Sequence, residues 1–292
     1  MATDVSAFES AFGKPLSSSM VRPALFTQDA RVLDAIAQSD GDPNFVTGLA
    51  RGLAILLALA DKKHHMTIAQ ISRRTGIPRA AARRGLYTLT KLGFVAVDEV
   101  RGFSLRPTVL TFSHAYLSTS PLAVLAQPIL DRLGESVKQA CSVAVLDGDE
   151  IVYIARSASS RLITSALKVG HRLPAYCTSI GLVMLAQLPP EDLSLYLERA
   201  KFYRHTEFTP TTKEEIREFL QHVNENGFAF ASQQMELRFC SIAVPIRDSG
   251  GRYVAGMNVI LQGRLLTADK MVTQYLEPLR DAALELGTLL CP

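Results

Sequence analysis

The sequence predicts a two-domain α+β chain: an N-terminal winged helix-turn-helix, then a larger domain of antiparallel strands and helices. Three observations carry this. Between Thr67 and Pro78 a capped short helix, a glycine stop and a proline restart follow one another. Positive charge gathers around that stretch, while the rest of the chain is mildly acidic. Beyond Pro121 the apolar period switches between helix and strand spacing, and Asp147-Gly148 sits between two apolar runs as a hairpin turn.

With 292 residues, 48% of them apolar, the chain is long enough to bury two cores. Residues 1–42 show weak periodicity, three serines at 17–19 and prolines at 15 and 23. They read as a mobile arm in which Ala30–Gln38 forms a helical turn or two. Val46–Ala60 then places Leu49, Leu53, Leu56, Leu57 and Ala60 at helical spacing. Thr67 followed by Gln70 makes a capping box. That helix runs to about Thr75, where Gly76 suits a left-handed stop and Pro78 the first turn of a second helix. Two helices joined by a short glycine-containing turn make a helix-turn-helix. On the second helix, Pro78 to Leu92, Ala82, Leu86, Leu89 and Gly93 share one face; Ala80, Arg84, Tyr87 and Lys91 share the other, flanked by Arg83. Phe94–Val97 and Phe103–Leu105 enclose a turn and form the wing.

Residues 43–106 therefore make the first domain, 107–120 a linker with an amphipathic helix over Thr108–Leu117, and 121–292 the second domain. There the spacing predicts helices over Leu122–Gln139, Ser179–Gln187, Glu191–Ala200, Lys213–Asn224 and Ala268–Leu289. Strands are expected over Ser142–Leu146, Ile151–Arg156, Leu162–Leu167, Phe228–Gln233, Ser241–Arg247 and Tyr253–Leu261. Antiparallel strands with helices gathered at the ends are an α+β pattern.

The net charge is +3, but Pro43–Pro107 holds eleven basic and three acidic residues, a net of +8. The remainder holds twenty basic and twenty-five acidic residues, a net of −5. A polyanion partner is implied for the first domain. Cys141, Cys177, Cys240 and Cys291 lie far apart, which argues against a zinc or redox motif and for reduced thiols in the cytoplasm. No secretory or membrane-spanning pattern and no nucleotide or metal motif stands out, so no cofactor is expected.

A recognition helix presents its N-terminal residues to base edges. Arg79 lies there, with Arg83, Arg84 and Tyr87 continuing outward. Arg73, Arg74 and the wing's Arg101 are placed for phosphates. The competing reading is a solvated basic face on a helical bundle, and Arg84 has a structural alternative, holding the backbone.

The run Thr67–Leu89 with Leu92-Gly93-Phe94 resembles the IclR-family helix-turn-helix, and Gly48–Ile55 resembles its first helix. Val169–Gly181 and Ser241–Ile246 are similar to the family's effector-domain signatures. Several segments are closest to the subgroup governing protocatechuate and 4-hydroxybenzoate catabolism. The resemblance implies a GAF-like effector domain, a homodimer or dimer of dimers on a pseudo-palindromic DNA operator, RNA polymerase as a further partner, and a small organic acid as the switch. Thr67 and Ala80 join the implied DNA-facing set; the family often has Ser-Thr where Ala80-Ala81 stand, and Leu where Gly85 stands. The implied effector site comprises Thr178, Ser179 and Ile180 at a helix start, Ser241 and Asn258 as polar contacts, and Leu167, Tyr176 and Phe239 as walls. Ser232, Gln234 and Arg238 stand where two family carboxylates and a glycine are common, so Arg238 is expected to favour an anion.

A thiol enzyme using Cys177 with His171 is the rival class, and a ligand-free architectural DNA binder is another. Both are weaker than a transcription regulator switched by an aromatic carboxylate or a ring-cleavage acid such as β-ketoadipate. A non-aromatic effector and phthalate-type diacids stay open, as does the choice between activation and repression.

Overall fold

A computed structural model of the chain describes residues 27–60, 65–157 and 168–291. It divides into two compact units, Ala24–Tyr116 and the part from Leu117 onward. The expected strand over Leu162–Leu167 and most of the N-terminal arm lie outside the described residues.

The first unit opens with α1 (Thr27–Gln38), α2 (Thr47–Leu59), α3 (Ile68–Thr75) and α4 (Arg79–Lys91). A two-stranded wing follows, β1 (Val95–Asp98) antiparallel to β2 (Gly102–Leu105). The expectation of one or two helical turns before Gln38 is corrected: α1 has twelve residues, and its Val32, Leu33 and Ile36 pack on the core of this unit. That core joins Ile55, Ile71, Ile77, Ala82, Leu86 and Val95. Gly76 ends α3 at φ 69°, as a left-handed stop requires. Pro78 caps α4 from outside, one position earlier than expected.

The connecting helix α5 (Leu110–Thr119) has no buried residue. Its apolar Leu110 and Phe112 fall on different sides of the helix, so the amphipathic reading is corrected. Phe112 stacks on Phe94, with ring centroids 5.8 Å apart.

The second unit holds α6 (Pro121–Val137), β3 (Ala140–Asp147), β4 (Glu150–Arg156), β5 (Arg172–Pro174), α7 (Ser179–Leu185), α8 (Pro190–Arg199), α9 (Lys213–Asn226), β6 (Ala229–Ser232), β7 (Phe239–Arg247), β8 (Tyr253–Gln262), α10 (Ala268–Met271) and α11 (Glu277–Leu289). The strands form one antiparallel sheet ordered β5-β4-β3-β8-β7-β6. Because strand side chains alternate, one face buries Cys141, Val143, Ile242, Met257 and Val259 against α6 and α11. The other carries Ala144, Tyr153 and Ala243 toward α7 and α9.

Two differences from expectation have local causes. The final helix is not continuous: Val272–Leu276 forms a π turn just before Pro278. Proline lacks the N–H and clashes with the carbonyl four residues back, and the wider turn relieves both. The short strand β5 was not expected because it ends in Pro174, which suits only an edge. Arg172 on it pairs with Glu150 and Asp147 at 2.8 Å.

Candidate nucleic-acid and ligand sites

The capping box forms as expected. The Gln70 amide N–H donates to Thr67 Oγ1 at 3.3 Å, and the Thr67 amide N–H donates to Gln70 Oε1 at 2.8 Å. Thr67 is exposed at the start of α3, and Arg73 is exposed near its end with Arg74 half-buried. On α4, Ala82, Leu86 and Leu89 face the core, while Arg79, Ala80, Arg83, Arg84 and Tyr87 are exposed. Lys91 Nζ lies 5.5 Å from the Tyr87 ring centroid, a cation–π distance. Gly85 has a packing reason that the sequence did not reveal. A Cβ there would stand 2.6 Å from Ile55 Cδ1, so α2 crosses α4 at this point.

The wing is pinned at its turn. The Asp98 carboxylate accepts from the Val100 and Arg101 amides, both at 2.9 Å. Those two N–H groups hold the Asp98 carboxyl below the usual carboxylate range. Arg101 is exposed beside it. The wing is tied back to the capping box by the Met66–Phe103 bridge. The result is a helix face rich in guanidinium groups, with further cations on α3 and the wing, a distribution suited to base edges and phosphates respectively.

In the second unit, Thr178 Oγ1 accepts from the Gly181 amide at 3.2 Å and caps α7. The chain folds so tightly here that a Cβ on Gly181 would lie 2.1 Å from Ala175 O. Ser241 Oγ on β7 donates to Ser179 Oγ at 2.8 Å, joining helix start to sheet. Ile180 is fully buried in the core beneath α7. Tyr176 is buried there too. Its hydroxyl donates to Tyr203 O at 2.6 Å and accepts from the Tyr203 amide at 2.9 Å, with His205 Nε2 at 3.1 Å. Its polar tip is thereby occupied by the chain itself. Phe239 is half-buried two residues before Ser241, on the same face of β7.

Asn258 is 2% exposed on β8, and its Oδ1 has no hydrogen-bond partner among the described residues. Its side chain lies close to the Tyr153 hydroxyl, which burial pushes up to about 12. Ser142 on β3, 1% exposed, also has an unpartnered Oγ. Opposed residues of antiparallel strands share a face. The pairs Arg156–Ser142, Ser142–Asn258 and Asn258–Ala243 therefore form one row across β4, β3, β8 and β7 on the α7 side of the sheet.

Arg238 is not part of this group. It is exposed, in a turn with φ 68°, and its amide donates to Gln233 Oε1 at 3.2 Å. The cation of the row is Arg156, half-buried, with its guanidinium held below the usual range by that burial. Leu167 lies outside the described residues. Sequence reasoning missed Ser142, Tyr153 and Arg156. A serine inside the apolar run Cys141–Ala144 was the available signal for the first. Cys177 is a core thiol, with its Sγ 3.7 Å from Met235 Sδ. Burial pushes that thiol well up, the opposite of an activated nucleophile.

A winged helix with an arginine-lined outer face, followed by an α+β domain that buries unpartnered polar groups beside a helix start, defines an effector-controlled transcription regulator. Comparison with known proteins gives the same class. The helix-turn-helix domain model of IclR matches residues 48–99, and the model for the C-terminal domain of bacterial IclR transcriptional regulators matches residues 114–288. The chain belongs to the IclR family. It is 44% identical to the Pca regulon regulatory protein of Pseudomonas putida, over 94% of this chain and 92% of that one. It is 35% identical to the p-hydroxybenzoate hydroxylase transcriptional activator of Acinetobacter baylyi, over 84% and 92% of the two chains. An IclR homologue from Microbacterium hydrocarbonoxydans, solved in complex with 4-hydroxybenzoate, superimposes with a TM-score of 0.68 at 25% identity, over 83% of this chain and 98% of that one.

Proposed function

We propose that the chain regulates genes for the breakdown of aromatic acids. The exposed face of α4 reads the base edges of a double-stranded operator, with Arg79, Arg83, Arg84 and Tyr87 outward, while Arg73, Arg74 and Arg101 hold phosphates. A small organic acid binds between the start of α7, which carries Ser179, and the sheet face that carries Ser142, Asn258 and Ser241. The protein works as a homodimer or dimer of dimers on a pseudo-palindromic site, in reach of RNA polymerase.

The observation that carries the effector half is the pair of buried, unpartnered polar atoms on Ser142 and Asn258. A buried polar atom without a partner costs about 1–3 kcal/mol, which a ligand supplying the missing partner recovers. The aromatic class rests on the relatives: a Pca regulon regulator, a p-hydroxybenzoate hydroxylase activator and a homologue holding 4-hydroxybenzoate.

The test is a thermal-shift screen of the full chain against 4-hydroxybenzoate, protocatechuate, β-ketoadipate and phthalate, paired with operator binding with and without each acid. A ligand specific for the folded state adds about 2.7 kcal/mol at a hundred times its dissociation constant. A shift with an aromatic acid, together with changed operator binding, is expected. A shift with β-ketoadipate alone would move the reading to a non-aromatic effector, and no shift with any acid would remove the effector half.

A further inference from the structure

The hairpin of β3 and β4 contains an irregularity that decides what faces the ligand site. Counting outward from the turn, Asp147 pairs with Glu150, Leu146 with Ile151, Val145 with Val152 and Ala144 with Tyr153. An unbroken ladder would then pair Val143 with Ile154 and Cys141 with Arg156. Instead the register shifts by one residue between Val143 and Ala144, and Val143 pairs with Ala155 and Ser142 with Arg156. Ile154 and Ala155 both go to the core beneath α6 and α11, as the two residues of a bulge do. The strand then resumes with opposite parity. Arg156, which a regular strand would have turned toward Cys141 and that same core, is thereby brought to the face of Ser142 and Asn258.

Resting on the effector site proposed above, we infer that the effector lies lengthwise along the row Arg156–Ser142–Asn258, with its carboxylate on the Arg156 guanidinium and a ring hydroxyl donating to Asn258 Oδ1, so that the site selects a hydroxylated aromatic monoacid. The row supplies both ends. Neighbouring strands lie about 4.8 Å apart, so Arg156 and Asn258 stand roughly 10 Å apart at their backbones. Both residues lie on one face of the sheet, and one benzene ring bearing opposed carboxylate and hydroxyl groups, with a hydrogen bond at each end, spans a distance of that order. A guanidinium is the side chain best shaped to take a carboxylate through two parallel hydrogen bonds. At the far end Asn258 presents an acceptor oxygen, buried and without a donor. A ring C–H leaves that oxygen unsatisfied, and a second carboxylate sets anion against acceptor. Only a donor such as a hydroxyl answers it. Partial burial of Arg156 acts in the same direction, because a desolvated cation gains more from an anion than a hydrated one does.

The test is isothermal titration of the full-length protein with four ligands of one shape: 4-hydroxybenzoate, benzoate, 4-hydroxybenzamide and terephthalate. The expected result is tightest binding of 4-hydroxybenzoate, with each of the others weaker by tenfold or more. Arg156→Met is expected to erase the preference for 4-hydroxybenzoate over its amide, while Arg156→Lys keeps part of it. Asn258→Leu is expected to erase the preference over benzoate; the wild-type ligand series reads the same contact without any change to the fold. Binding of benzoate or terephthalate as tight as that of 4-hydroxybenzoate overturns the orientation while leaving an effector site in place. So does an Arg156→Met protein that still prefers the acid to the amide. Absence of binding by all four, with no response to protocatechuate or β-ketoadipate, removes the effector site itself.

Discussion

Replacing Gly85 by alanine should destabilise the first unit, although alanine is the better helix former. In a helix interior the exchange alone gains about 1 kcal/mol. Here the new Cβ would sit 2.6 Å from Ile55 Cδ1, and Ile55 is fully buried. Forcing a methyl group into a filled core costs about 1–3 kcal/mol. The net expectation is a loss of up to about 2 kcal/mol. Ile55→Val removes the obstructing Cδ1 and on its own costs about 0.5–1.5 kcal/mol. On that background Gly85→Ala should become stabilising by about 1 kcal/mol, because only the propensity gain remains. The two changes should therefore couple by about 1–3 kcal/mol, far outside the additivity expected of independent sites. Native-state hydrogen exchange at the Leu86 and Leu89 amides in the full chain reads this unit by itself. The reasoning fails if Gly85→Ala has the same effect in both backgrounds.

Two further outcomes are expected. In anisotropy titrations at several salt concentrations, Arg79→Ala and Arg83→Ala should each cost about 1–3 kcal/mol on the operator and relax its sequence preference, whereas Arg101→Ala should weaken all DNA alike and flatten the salt dependence by about one unit; a uniform loss with Arg79→Ala would take that residue off the bases. Burial holds His205 and His222 below the usual histidine value of 6.5, so the folded chain binds fewer protons than the unfolded one and stability falls as pH drops through 6.5. Melting temperatures between pH 7.5 and 5 should decline, and less steeply in His205→Gln; the carboxylates of Asp98 and Asp248, held below 3.8, stay ionised across that window.

The first unit was the more legible half because its signals are local. A capping box, a glycine stop and an i, i+4 face each occupy a few consecutive residues, and Thr67, Gly76 and Leu86 behave as their neighbours dictate. The pairing of Ser179 with Ser241 spans sixty-two positions, and the family resemblance, not periodicity, pointed to both. Arg238 was assigned by its column in that resemblance, but its backbone sits in an exposed turn that carries it away from the buried row. Arg156 was hidden for a different reason. Counting alternation from the Asp147-Gly148 turn puts it on the wrong side of the sheet, and nothing in Tyr153-Ile154-Ala155 advertises the bulge. The π turn was foreseeable in principle, since Pro278 within a helical run asks for some such accommodation.

The bulge has an evolutionary consequence. A one-residue deletion at Ile154 would return the strand to regular alternation and leave Arg156 opposite Ser142, because Ala155 already holds the paired place beside Val143. A lineage could thus lengthen or shorten β4 by one residue at this point without moving its cation for an acid to the other side of the sheet. Alignments of such relatives would show a gap there with no change of face on either side of it. Ligand preference among such regulators would then be insulated from strand length at the bulge and carried by side-chain identity.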